Sequence, residues 1–188
     1  MLFAAFVALA LWVRFHGPLP GDGRAHDWAA AHGTPSQRTY DLYNVFGVLG
    51  TPPGALLTTS TAALILLRNV SARAAAMLLG AALITLVEPQ LAQLVGTTDA
   101  AVRLGLPGGG FPSGHALYAG AVLGMLAWLG RAHGRPEVTA VCLAVIVLMG
   151  LTRVISGAHL PSEVLGGYLL GGAWLCLVLA VTRAVEGA

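Results

Sequence analysis

The stretch Val138–Val164, VTAVCLAVIVLMGLTRVISGAHLPSEV, decides what kind of molecule this is. It begins as an apolar run over Val138–Val154, broken near its end by Thr152 and Arg153. Roughly 20 apolar residues in a helix cross a bilayer, so the run reads as a membrane span. Polar residues then gather at its edge: His159, Ser162 and Glu163. Sequence at membrane depth seldom carries such groups, because each costs about 3 kcal/mol unless it is paired or wet. A span that ends in this way marks a site.

The apolar pattern recurs along the chain. Further runs cover Met1–Val13, Pro53–Leu67, Ala74–Val95, Ala116–Gly130 and Val164–Val181. The chain has 188 residues, 56% of them hydrophobic and 10% charged. Soluble domains carry about 25% charged residues, so most of this surface does not face water. The expected fold is all-α: one domain over residues 1–188, an integral membrane bundle of about six transmembrane helices. The first run lacks a basic leading segment and a small-residue cleavage site, which favours a retained span over a signal peptide. Glu88-Pro89, near the end of the third run, predicts a break or kink close to the outer surface. Gly167 and Gly171 in the last run have the spacing of a close helix contact, within one chain or between chains.

A net charge of +2 is too small to suggest a nucleic-acid partner. All ten basic residues are arginine, which removes lysine from the possible catalytic groups. Cys142 and Cys176 lie inside apolar runs, where cysteine behaves as a small hydrophobe. The arginines also set an orientation. Arg68, Arg73, Arg131 and Arg135 crowd two short loops and Arg183 lies in the tail, whereas Arg14, Arg24 and Arg38 are spread through a long first loop with Asp22, Asp27 and Asp41. Arginine density in short loops predicts both termini inside the cell membrane. The loops around Gly96–Pro112 and Ser156–Pro161 then face outward. The long external loop, residues 14–49, carries Trp28, Tyr40 and Tyr43 and is expected on the outer membrane surface. It is expected to cover a site, to guide substrate, or to act as an interfacial spacer.

A second polar segment precedes the fourth run: Phe111-Pro112-Ser113-Gly114-His115. Serine can cap the helix that follows, and glycine lets backbone approach a ligand. The free N–H groups of a first helical turn attract anions, and His115 there would face the same anion. In the other segment Glu163 follows His159 by four residues, with Pro161 placed to start a helix. The carboxylate can orient one imidazole nitrogen and leave the other as a nucleophile. Arg153 can hold a phosphate by paired hydrogen bonds. The alternative is an Arg153–Glu163 ion pair with His159 outside it.

These segments resemble the type-2 phosphatidic-acid phosphatase superfamily of membrane lipid phosphate phosphatases. Pro112, Ser113, Gly114 and His115 match its P-S-G-H motif. Thr152, Arg153, His159 and Glu163 fall at the spacing of its S-R-x5-H-x3-D motif, with Thr for Ser and Glu for Asp. The resemblance covers roughly residues 75–180. It implies that His159 attacks phosphorus, Glu163 orients it, and His115 protonates the leaving alcohol and later activates water. It also implies that Ser113, Gly114 and Arg153 hold the phosphate oxygens, with no metal or organic cofactor. The family's first motif, K-x6-R-P, is degenerate: Ala92 stands for its lysine and Asp99 for its arginine. Arg103 can substitute from the same loop, or it pairs with Asp99.

The expected function is an integral membrane phosphatase, acting on a lipid or isoprenoid phosphate or diphosphate at the extracytoplasmic face through a phosphohistidine. Two alternatives use the same histidines' surroundings. One is a lipid-phosphate binding or transport protein weakened in catalysis, the other a phosphotransferase fed by a lipid diphosphate. Neither the individual lipid nor the oligomeric state is written in the sequence.

Overall fold

Helices begin where the sequence supplies caps and prolines. In the computed structural model, which describes residues 1–32, 45–95 and 110–187, every regular element among those residues is helical. They are α1 (Leu2–His16), α2 (Asp22–His32), α3 (Pro52–Asn69), α4 (Ala72–Ala82), α5 (Glu88–Val95), α6 (Gly114–Tyr118), α7 (Gly124–Ala132), α8 (Pro136–Ile155) and α9 (Pro161–Glu186). The Thr51 hydroxyl accepts from Gly54 N–H at 3.3 Å and Ser71 Oγ from Ala74 N–H at 3.1 Å, capping α3 and α4. Pro136 and Pro161 open α8 and α9, where a missing N–H costs no helical bond.

Six long rods result among the described residues, one on each apolar run. α4 continues through a 3₁₀ turn at Leu83–Leu86 into α5, and α6 through a π turn at Ala119–Leu123 into α7. The break in the third run therefore falls a turn before Glu88. Pro89 then sits in the first turn of α5, a position that tolerates proline. Three rods are long and apolar enough to cross a membrane: Ala72–Val95, Pro136–Ile155 and Pro161–Val185. Large apolar side chains face outward, among them Leu57, Leu64, Leu143, Val147, Leu177 and Val181. A surface of this kind is met by lipid rather than water. The molecule is a membrane-embedded helical bundle.

The rod α6–α7 lies at its centre. Tyr118, Val122 and Met125 pack with Leu78 and Ala81 of α4 and Met149 of α8. Leu117 and Ala121, on another face, pack with Phe6, Leu9 and Val13 of α1 and Leu170 of α9. Gly167 and Gly171 bring α9 against this rod, where Cβ atoms would lie 2.8 Å from Leu117 N and 2.6 Å from Leu117 O. Those distances leave no room for a side chain, so the small-residue contact is made within the chain.

The sequence leaves the first loop several readings, and the structure bears on one of them. Part of it is helical and packs on the bundle instead of lying open as a spacer. Asp22 and Ala29 of α2 are buried, and residues 45–50 are also helical. Asp22 explains the docking, because its carboxylate finds backbone donors at Leu19 (2.9 Å) and at Ser162 of α9 (3.1 Å). The rest of the loop, residues 33–44, lies outside the described residues.

Candidate active site

The start of α9 fixes the nucleophile candidate. Gly157, at φ 68°, turns the chain after α8 in a conformation that favours glycine. His159 N–H then donates to Arg153 O at 3.1 Å. Glu163, one turn into α9, is 2% exposed. Its Oε2 accepts from Leu160 N–H at 3.1 Å and meets His159 Nδ1 at 2.9 Å. An ionised carboxylate only accepts, so Nδ1 carries the hydrogen and Nε2 keeps its lone pair. Among the described residues the ion partner of Glu163 is His159, not Arg153.

The P-S-G-H segment is held against this turn. Ser113 N–H donates to Glu163 O at 3.0 Å, joining the two segments by backbone. Phe111 is buried, stacks on Phe6 at 5.8 Å between centroids, and fills the space left by Gly166. The rings of His115 and His159 are consequently 6.4 Å apart. The expected Ser113 cap does not form: Ser113 is the N-cap of α6, but its side chain accepts no helical N–H. Its Oγ is buried and, among the described residues, has no hydrogen-bond partner, and the same holds for Ser162 Oγ.

Two glycines of residues 45–50 complete the surroundings of His115. His115 Nε2 donates to the Gly47 carbonyl at 2.9 Å, which leaves Nδ1 as the nitrogen able to take and give a proton. A Cβ on Gly50 would overlap the His115 ring, and one on Gly47 would lie 3.0 Å from Arg153 Nη2. Gly47 therefore sits between the imidazole and the guanidinium. A single cavity of about 1090 Å³ is lined by both histidines, by Glu88 and Gly114, and by apolar residues of α3 and α4 such as Leu56 and Leu79.

The structure thus brings together His115, His159, Glu163, Ser113, Gly114 and Arg153. Arg103 lies outside the described residues. Ala92, at the place of the first motif's lysine, lines the cavity and offers no charge. Sequence reasoning treated Glu88 only as a helix break, yet it lines the site. A lone carboxylate in an apolar run was the available signal. Asp22 carried no signal in a polar loop, and Gly47 and Gly50 carried none in the apolar stretch Val45–Gly50. Among the described residues no three His, Cys, Asp or Glu side chains stand together as a metal-holding group, and both cysteines are free.

The sequence matches the model of the PAP2 superfamily over residues 1–186. The chain belongs to that superfamily. Within it, the chain is similar to lipid A 1-phosphatases of Rhizobium etli, at 38% identity over 74 residues, and of Rhizobium johnstonii, at 39% over 74 residues. Each match covers 39% of this chain but only 29% and 28% of those proteins, so this PAP2 chain aligns with under a third of their length. Among solved structures it is similar to a transmembrane PAP2-type phosphatidylglycerolphosphate phosphatase from Bacillus subtilis. That likeness has a TM-score of 0.74 and 19% identity, and covers 98% of this chain and 95% of that one. At that identity it establishes a shared PAP2 fold.

Proposed function

We propose that this PAP2 chain is a membrane phosphatase that releases phosphate from a lipid or isoprenoid phosphate at the extracytoplasmic face, through a phosphohistidine. The observation that carries the reading is the His159 Nδ1–Glu163 Oε2 contact of 2.9 Å on a ring that lines a cavity shared with His115. The names of the lipid A 1-phosphatases and of the phosphatidylglycerolphosphate phosphatase support lipid phosphates as the substrate class. The apolar walls of the cavity suit the lipid portion of such an ester.

The reaction runs in two displacements. His159 Nε2 attacks phosphorus, the P–O bond to the alcohol breaks, and protonated His115 gives its Nδ1 proton to the departing oxygen. His115 then takes a proton from water, whose oxygen attacks phosphorus, breaks the P–N bond and frees inorganic phosphate and His159. Glu163 holds the imidazole orientation and balances its charge while it carries phosphate. Ser113, the Gly114 N–H and Arg153 meet the phosphate oxygens as charge builds on them.

Phosphate release from a panel of lipid and prenyl phosphates in detergent, with EDTA present, tests this reading. Release that depends on His159 supports it, and no release from any member overturns it. Ala92 in place of a cation favours a second reading, a lipid-phosphate binder without turnover. Labelled phosphate trapped on His159 separates the enzyme from the binder.

A further inference from the structure

Glu88 is an unexpected group to find beside an anion cradle. A Cβ on Gly114 would lie 3.1 Å from its Cδ and 3.3 Å from both carboxylate oxygens. The carboxylate therefore rests against Gly114, between Ser113 and His115 in sequence. The ion pairs given by the described residues are Arg135–Glu137 and His159–Glu163; Glu88 belongs to neither, although the charge of His159 reaches it. While ionised it repels phosphate oxygens rather than holding them. Leu79, Leu83 and Leu86 precede it along the same rod and line the apolar part of the same cavity. Glu88 thus stands where the lipid portion of a bound ester would give way to phosphate.

The substrate atoms that meet such a junction are the first carbons beyond the ester oxygen. A carboxylate there is dehydrated when an ester fills the cavity, and among the described residues it has no hydrogen-bond donor to replace water unless the substrate brings one. We propose that Glu88 reads the alcohol half of the substrate. Its carboxylate accepts a hydrogen bond from a hydroxyl or N–H on the carbon next to the ester carbon. The site accordingly selects lipid phosphates with such a donor over alkyl and prenyl phosphates without one. This selection rests on the phosphatase reading above and narrows its substrate class. Sites built to bond a substrate hydroxyl reject analogues lacking it by up to about 10⁴–10⁵. Glu88 is only partly buried, so a discrimination of about tenfold or more is expected.

The test compares kcat/KM for 1-acyl-glycerol 3-phosphate, whose hydroxyl neighbours the ester carbon, with an alkyl phosphate of matched chain length. The wild type should favour the first by about tenfold or more. Glu88→Ala should bring the ratio below about threefold, and Glu88→Gln, which keeps one acceptor oxygen, should fall between. A wild-type ratio near one, a ratio unmoved in both variants, or equal loss of both activities in folded protein overturns the proposal. If Glu88→Ala does not fold, Glu88→Gln decides by the same ratio. Release from both lipids at an unchanged ratio overturns this selection alone. No release from any lipid phosphate by the wild type overturns the phosphatase reading, and the selection with it.

Discussion

Asp22 and Ser162 stand 140 positions apart, yet Asp22 Oδ1 accepts the Ser162 backbone N–H at 3.1 Å. Ser162 lies in the first turn of α9, next to Glu163, so a residue of the first loop holds the turn that orients His159. The helix dipole favours a carboxylate at this end, and the second Asp22 oxygen takes Leu19 N–H. Asp22→Ala would leave two donors unmet in a site that is 3% exposed. It should cost about 1–3 kcal/mol of stability and lower kcat more than it raises KM. Asp22→Asn, which keeps one acceptor, should lose less of both. Thermal unfolding in detergent and steady-state kinetics check this, and an unshifted Tm would remove Asp22 from the positioning role.

His159→Ala should abolish phosphate release, while Glu163→Gln should leave a residual rate. The first removes the attacking atom. The second removes the charge that aligns and stabilises the imidazole, 2.9 Å away, without touching phosphorus. Losing a group that acts only in the transition state lowers kcat and kcat/KM together. Single-turnover assays measure both. Wild-type rates in His159→Ala would end the phosphohistidine mechanism.

The fold was legible because lipid imposes a simple rule on sequence. Among the described residues, six apolar runs became six helical rods, since backbone groups in a bilayer must bond within their own segment. The two motif segments were legible because polar residues at membrane depth stand out, and backbone pairing of Ser113 with Glu163 brings them together. Asp22, Gly47 and Gly50 were not legible. Their partners lie far away in sequence, and nothing in a polar loop distinguishes a docked aspartate from a solvated one. Glu88 was seen as a helix break because Pro89 follows it. Which face of α5 it occupies depends on the 3₁₀ turn at Leu83–Leu86, which shifts the rotation of everything after it.

The arginine distribution predicts which side of the membrane each loop occupies. In a background lacking Cys142 and Cys176, a cysteine at the exposed Ser156 should react with a membrane-impermeant thiol reagent added to intact cells. A cysteine at Arg135, also exposed, should react only after the cells are opened. The reverse pattern would place the histidines on the cytoplasmic side and make the substrate a lipid of the inner leaflet.

Ser113→Ala offers a test in which stability and activity move apart. The Ser113 hydroxyl is buried and, among the described residues, makes no hydrogen bond. A buried polar group left unmet costs about 1–3 kcal/mol, so a fold gains nothing by keeping it there. An anion arriving beside Gly114 and His115 would give that hydroxyl an acceptor at last. If so, Ser113→Ala should leave the empty protein as stable as the wild type or more so, since the unmet group is gone. It should also lower kcat/KM by about 10- to 100-fold, matching a hydrogen bond to a charged oxygen worth about 1.5–3 kcal/mol. A serine that instead braces the turn would show the opposite pattern, with a lower Tm and nearly unchanged turnover. Measuring Tm and kcat/KM on the same preparation separates the two. A destabilised variant with wild-type kinetics would take Ser113 out of the phosphate site.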